Sequence, residues 1–385
     1  MNKKYTKLVA IFILCAIMVT NASAFVSADD TSVLSEFQTK EDRRLYAVMQ
    51  DTIKEISDSS IRMSGVKTVY GFDGEEYISV ECQPSGYMIY HPASGKFVET
   101  SPSAPSPYQG LTGDNLYYGG PTEYYQLRDG KYQHTVINES FCDAGDVELM
   151  AENSEQISQR LCAEKNTAVL NYVESGDTGA YRAMSAASAS ASSGGLSTFQ
   201  QNWFKGLTEN FGYWETGDGV CGFVALNLLI AWFDRFKDDR FMDDKYWIDP
   251  RYKMSLQSWD LSLTKYLYDL DPKDWTTSMH IHKVCREYLE ERNLHNAVDH
   301  TSLYWGLFNN STMKGFLNSG YPIILFGSLE KPNGQGQVDH AVVAYRYADT
   351  DRGVKYTCHY GWPNYSEVTI EGILGSMYGM KLKYK

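Results

Sequence analysis

At 385 residues, with 43% hydrophobic side chains, the chain is too long for one ordinary domain and apolar enough to pack two. A formal net charge of −13 argues against a nucleic-acid partner. Most of the acidic excess falls in the first 195 residues, as a solvated acidic face or a surface set against a partner would require.

The chain opens with Lys3, Lys4 and Lys7, an apolar run over residues 8–19, and two small-residue cleavage sites, Ala22-Ser23-Ala24 and Val26-Ser27-Ala28. This is the layout of an export signal, so residues 1–28 are expected to be removed. The apolar run is too short to span a bilayer, and no later stretch is long and apolar enough. The chain closes on Lys381-Leu382-Lys383-Tyr384-Lys385, without a wall-sorting tail. A secreted, extracellular protein is expected, with no membrane contact once the signal is gone. Beyond Cys15 the cysteines are Cys82, Cys142, Cys162, Cys221, Cys285 and Cys358, too few for a disulfide-built scaffold. A Cys285–Cys358 bridge is one arrangement open to the back half.

Residues 31–57 carry an apolar stripe at helical spacing. Short β-type runs follow at 66–70, 77–81, 87–90 and 97–100, separated by Gly-Phe-Asp-Gly and Pro-Ala-Ser-Gly turns. Pro102, Pro105 and Pro107 are expected to end that sheet, and residues 147–173 return to helical spacing. Residues 29–182 thus read as an α+β domain. Residues 183–197 are rich in Ser, Ala and Gly, with too little apolar surface to fold, and are expected to form a flexible, cleavable linker. The back domain, 198–385, places helices first (220–236, 256–268, 280–291, 311–317) and strands after them (322–326, 341–345, 354–359, 366–370, 377–382). A helical half and a β half predict an α+β fold with two lobes and a cleft.

Two residues in the back domain invite chemistry. Gly217, Asp218 and Gly219 make a turn before the apolar run 220–236, so Cys221 falls in the first turn of a buried helix. Unpaired N–H groups and the positive end of the helix dipole favour thiolate there. The competing reading is an ordinary core cysteine. A thiolate nucleophile needs a base that returns the proton to the leaving amine, and histidine suits neutral pH. His280, His282, His295 and His300 sit in helical or loop context and are expected at the surface. His340 opens the strand Ala341-Val342-Val343-Ala344-Tyr345 after a Gly-rich turn, a position suited to a cleft.

The segment Val338-Asp339-His340-Ala341-Val342-Val343-Ala344 resembles the histidine segment of the papain-like cysteine peptidases, which reads Asp-His-Ala-Val in many members. Gly219-Val220-Cys221-Gly222 resembles the nucleophile segment at the head of their central helix. Cys358-His359-Tyr360-Gly361-Trp362 resembles their third segment, which has the form Asn-Trp-Gly-Trp in the bacterial streptopain-like group. The front hairpin, Ser85-Gly86-Tyr87-Met88-Ile89-Tyr90 closing with Phe97-Val98-Glu99, is similar to the prodomains of streptopain-like precursors.

The resemblance implies Cys221 as nucleophile, His340 as base, His359 where the family has its orienting asparagine, and Trp362 as the indole that shields the pair. It also implies an inhibitory prodomain that displaces the histidine or blocks the cleft, and activation by cutting the linker. Two residues depart from the pattern. A histidine at 359 accepts the His340 N–H only through an unprotonated ring nitrogen, so the orienting role is also open to Asn364 or a backbone carbonyl. Glu215 stands where the family has a glutamine, and an ionised carboxylate cannot donate to an oxyanion. The Cys221 backbone N–H and the side chain of Asn210 or Trp214 are the remaining candidates.

The expected function is a secreted cysteine endopeptidase made as a zymogen, acting on a protein or peptide substrate, with its own prodomain as intramolecular inhibitor. No metal or cofactor is expected, since no Cys/His cluster has zinc spacing. One alternative is a cell-wall amidase or bacteriocin-processing peptidase on the same fold. Another is a non-catalytic surface-interaction protein on a decayed peptidase fold, which Glu215 and His359 favour.

Overall fold

The computed structural model describes residues 37–56, 61–137, 140–141, 144–188, 192–208, 220–273, 276–299, 303–326, 340–350, 353–371 and 376–385. The export-signal segment, Cys142, Asn210, Trp214, Glu215, His300 and Val338-Asp339 lie outside the described residues.

Helix α1 (Lys40–Ile56) begins on a reciprocal cap. The Asp42 N–H donates to Thr39 Oγ1 at 3.0 Å, and the Thr39 N–H donates to the Asp42 carboxylate at 2.8 Å. Its apolar stripe, Val48, Met49 and Ile53, is buried. Strands β1 (Arg62–Tyr70), β2 (Glu76–Gln83), β3 (Tyr87–His91) and β4 (Lys96–Ser101) form an antiparallel meander, each centred on one of the four expected runs. Alternation along β3 sends Tyr87 and Ile89 into the main core, and Met88 and Tyr90 into a smaller core beneath α1.

The prolines do not end the sheet. Strands β5 (Leu116–Gly120), β6 (Glu123–Arg128), β7 (Lys131–His134) and β8 (Ser140–Phe141) extend it, joined to β1 by a parallel contact at Tyr70 and Tyr117. The β6–β7 turn is Asp129-Gly130 with both residues at positive φ (50° and 76°), the tight hairpin geometry that this dipeptide favours. The helical stretch expected over 147–173 is two helices, α2 (Ala144–Ala163) and α3 (Thr167–Ser175). Asn166 separates them, its side chain accepting from the Val169 N–H at 3.3 Å as the cap of α3.

The linker expected over 183–197 is ordered on both sides of residues 189–191. Helix α4 (Thr178–Ser188) runs through its start, anchored by buried Tyr181 and Met184 and by a Tyr181 hydroxyl bond to Asp51 at 3.0 Å. Strand β9 (Ser192–Gly195) follows. A Cβ on Gly195 would lie 2.6 Å from the Tyr345 carbonyl oxygen, and one on Gly194 would meet the Tyr347 ring. These glycines are there for close backbone approach rather than for freedom.

The back half runs α5 (Thr198–Gly206), α6 (Cys221–Phe236), α7 (Leu263–Leu270), α8 (Ser278–Glu291), β10 (Tyr304–Asn309), α9 (Asn310–Asn318) and β11 (Ile323–Phe326). Strands β12 (Ala341–Thr350), β13 (Gly353–His359), β14 (Val368–Glu371) and β15 (Ser376–Lys381) complete it. Helix α6 is buried from Cys221 to Asp234 and packs on β11 and β12. Strand order is β10-β15-β11-β12-β13-β14-β4-β3-β2-β1-β5-β6-β7-β8, with β9 paired to β12. The front and back halves therefore share one mixed, mostly antiparallel sheet, joined where β14 pairs with β4. At this level the α+β expectation agrees with the fold.

Two expectations are corrected. Cys285 and Cys358 are both free and buried, one on α8 and the other on β13, so they form no bridge. His280 and His282 are half-buried rather than surface residues, because α8 is covered by α6 on one side and by β10 and β15 on another. The His280 ring meets the Phe223 ring at 5.5 Å, and His282 Nε2 bonds the Leu303 carbonyl at 3.3 Å. His295 is exposed.

Candidate functional site

Cys221 is the first residue of α6 and is buried. The preceding Val220 gives the helix no side-chain cap, and the first turn closes through Val224 N–H to the Val220 carbonyl at 3.0 Å. Partial positive charge from the backbone therefore gathers around the sulfur. Thr276, buried between α7 and α8, brings its hydroxyl to 3.9 Å from Cys221 Sγ. The same hydroxyl lies 2.4 Å from where a Cβ on Gly222 would stand, so glycine is what lets this helix start sit against Thr276. Sequence reasoning missed Thr276; the only trace was the bare Gly222 after the cysteine. Burial pushes the Cys82 and Cys285 thiols up to about 12, and it also raises Cys162 and Cys358.

His340 immediately precedes β12, the strand against which α6 packs, so Cys221 and His340 stand on adjacent elements. Its Nε2 meets the Tyr360 carbonyl oxygen at 2.7 Å. A carbonyl only accepts, so Nε2 carries the hydrogen and the neutral ring keeps Nδ1 as its basic nitrogen. Trp362 lies against the ring, with centroids 4.5 Å apart. Burial pushes the His340 pKa down to about 4, against which the Tyr360 bond works in the raising direction.

The described bonds of His359 are to the backbone. It ends β13, and its Nδ1 accepts the Gly361 N–H at 3.0 Å while the ring faces the Leu207 carbonyl. It braces the turn that carries Tyr360 and Trp362. Asn364, the other side chain considered, is exposed at φ 70°, a left-handed turn position that asparagine tolerates. The turn closes through Tyr360 N–H to the Tyr365 carbonyl at 2.9 Å and Tyr365 N–H to the Trp362 carbonyl at 3.1 Å. The contact on His340 Nε2 is the backbone carbonyl, one of the three alternatives the sequence left open.

The front half reaches the same place. His134 and Tyr124 pack against Trp362 at 5.4 and 6.2 Å between ring centroids. His134 is held neutral: its Nε2 bonds the Thr122 carbonyl at 2.8 Å, its Nδ1 accepts from Val136 and Ile137, and burial pushes its pKa down to about 3. Trp362 is thus sandwiched between a histidine from each half. Among the described residues, no cluster of His, Cys, Asp or Glu could hold a metal ion, and no helix is long and apolar enough to cross a membrane. No protein-family model matches the chain, and no curated protein is similar to it.

Proposed function

We propose that the chain is the precursor of a secreted cysteine endopeptidase, with a papain-like two-lobed catalytic domain over 198–385 and an inhibitory front domain over 29–182. The observation that carries this reading is the tautomer of His340. Its Nε2–H is committed to the Tyr360 carbonyl, so Nδ1 is the nitrogen that can take a proton. The helix that Cys221 opens packs against the strand that His340 precedes.

In this mechanism His340 Nδ1 accepts the Cys221 thiol proton, and the sulfur attacks a peptide carbonyl carbon. The oxyanion of the tetrahedral intermediate takes the Cys221 backbone N–H. Collapse breaks the C–N bond, and His340 delivers its proton to the departing amine. Water, deprotonated by the same nitrogen, then attacks the thioester and frees the acid. The buried, neutral His340 of the intact chain fits a latent state in which an imidazolium is disfavoured.

Casein digestion by purified protein, followed together with its intact mass, tests the reading. Cys221→Ala and His340→Ala should each lower the rate by on the order of 10⁴-fold or more while leaving the fold intact. Cys221→Ser should also fail, since a serine hydroxyl is not ionised by this base. Full activity of Cys221→Ala would sink the assignment, and so would failure of an epoxysuccinyl probe to label Cys221 in any form of the protein.

A further inference from the structure

We propose that Glu99 is the docking group by which the front half grips the turn that holds His340, through the hydroxyl of Tyr360. The proposal rests on the peptidase reading for its biological meaning, but its structural content stands apart from it.

Glu99 lies on β4 at the join between the halves, opposite Ile370 of β14. Its side chain is fully buried and receives four phenol hydroxyls: Tyr87 at 2.5 Å, Tyr124, Tyr118 at 3.3 Å and Tyr360 at 2.8 Å. Three of these tyrosines belong to the front half, on β3, β6 and β5. The fourth, Tyr360, belongs to the turn whose carbonyl binds His340 Nε2. One residue therefore has its hydroxyl fixed by the front half and its carbonyl committed to the candidate base. An apolar side chain in place of Glu99 would fill the same core without ordering Tyr360.

The groups facing Glu99 from the surrounding elements are Tyr87, Tyr118, Tyr124, Tyr360, Tyr108, Tyr365 and Cys358. Burial pushes every one of them upward, so all are neutral, and no salt bridge reaches Glu99 among the described residues. Burial raises the Glu99 pKa more than the hydroxyl bonds lower it.

The test uses the full-length chain carrying Cys221→Ala, so that no self-cleavage intervenes. Amide hydrogen exchange over residues 356–371 is followed at pH 7, with and without Glu99→Gln, which leaves one acceptor oxygen for four hydroxyls. The Gln protein should lose protection at residues 360–362 by about threefold or more. Tyr360→Phe, which keeps the carbonyl and loses the hydroxyl, should loosen residues 360–362 and leave β1–β3 protected. Unchanged exchange at 360–362 in Tyr360→Phe overturns the proposal, and does so even if Glu99→Gln fails to fold. Neither readout needs peptidase activity, so failure here is distinct from failure to digest casein.

Discussion

His359 shows how one buried ring can shape a turn through the backbone. Its Nδ1 accepts from Gly361 at 3.0 Å, so the hydrogen sits on Nε2, toward Leu207. Burial pushes its pKa down to about 4, which keeps that tautomer across neutral pH. Gly361 is flanked by Tyr360, whose carbonyl takes the His340 N–H, and by Trp362, which lies on the His340 ring. His359→Ala should leave the buried Gly361 N–H without its acceptor, at a cost of about 1–3 kcal/mol in stability. Chemical denaturation would measure this, and peptidase activity should fall in parallel as the turn loosens. His359→Asn offers an oxygen acceptor but not the reach of a ring, so it should recover part of the stability. If His359→Ala were fully stable yet inactive, the residue would act directly on the chemistry instead. The identity of the residue was legible in the sequence, but its direction was not. Successive residues at a strand end point to opposite faces, and pattern alone does not say which face holds the base.

Elements with a clear period were legible: β1 to β4, α6 and β11 to β15 fall where the alternation or the apolar run placed them, whereas β5 to β8 and β10 were not anticipated. Elements whose signal lies in single residues were not. Asp129-Gly130 marks a tight turn, but one dipeptide does not show that its flanking strands continue the sheet past three prolines. The Ser/Ala/Gly stretch read as a coil because composition does not reveal packing. Its alanines propagate α4 from an anchor at Tyr181, and its glycines permit β9 to lie against Tyr345 and Tyr347. Thr276 was invisible because its approach to Cys221 is made across 55 residues of chain. The described parts of the tether, α4 and β9, would constrain the processing that the zymogen reading expects. A peptidase binds its substrate extended, so cutting within α4 requires the helix end to unwind. Cutting within β9 requires four residue pairs with β12 to separate, from Arg346 with Gly195 to Asp349 with Ser192. Helix ends fray more readily than a paired strand detaches. The mature fragment should therefore begin between Ser185 and Ser192 and retain β9. Intact-mass and N-terminal analysis would check this. A new terminus beyond Gly195 would count against it, and so would processing of Cys221→Ala at an unchanged rate in a protease-free preparation.

At the scale of the whole molecule, the two halves are joined by one sheet but by little of it. The β14–β4 contact consists of Thr369 with Thr100 and Ile370 with Glu99. Side-chain bonds add to it: Ser101 Oγ to the Glu367 carbonyl at 2.7 Å, and the Tyr365 hydroxyl to the Pro105 carbonyl at 3.0 Å. Behind these polar bonds one apolar core runs through both halves, and the aromatic cluster of His134, Trp362 and His340 belongs to the part of the contact that excludes water. While the chain is uncut, the tether holds the front half at an effective concentration on the order of millimolar. A weak intrinsic affinity is then enough to keep it docked almost all the time. If the tether is cut as the zymogen reading expects, the acidic front fragment can dilute away. His340 loses the cover of Tyr124 and His134 on its indole neighbour, and the desolvation that pushes its pKa down to about 4 should relax toward the ordinary imidazole value. At neutral pH the imidazolium form then becomes accessible beside Cys221. Epoxysuccinyl labelling of Cys221 at pH 7 should accordingly be about tenfold or more slower in the intact precursor than in the processed protein, in proportion to the undocked fraction. Raising the concentration of separated front fragment should restore the slow rate. Equal labelling of cut and uncut protein would show that docking of the front half does not govern the site, whatever the chemistry of the site proves to be.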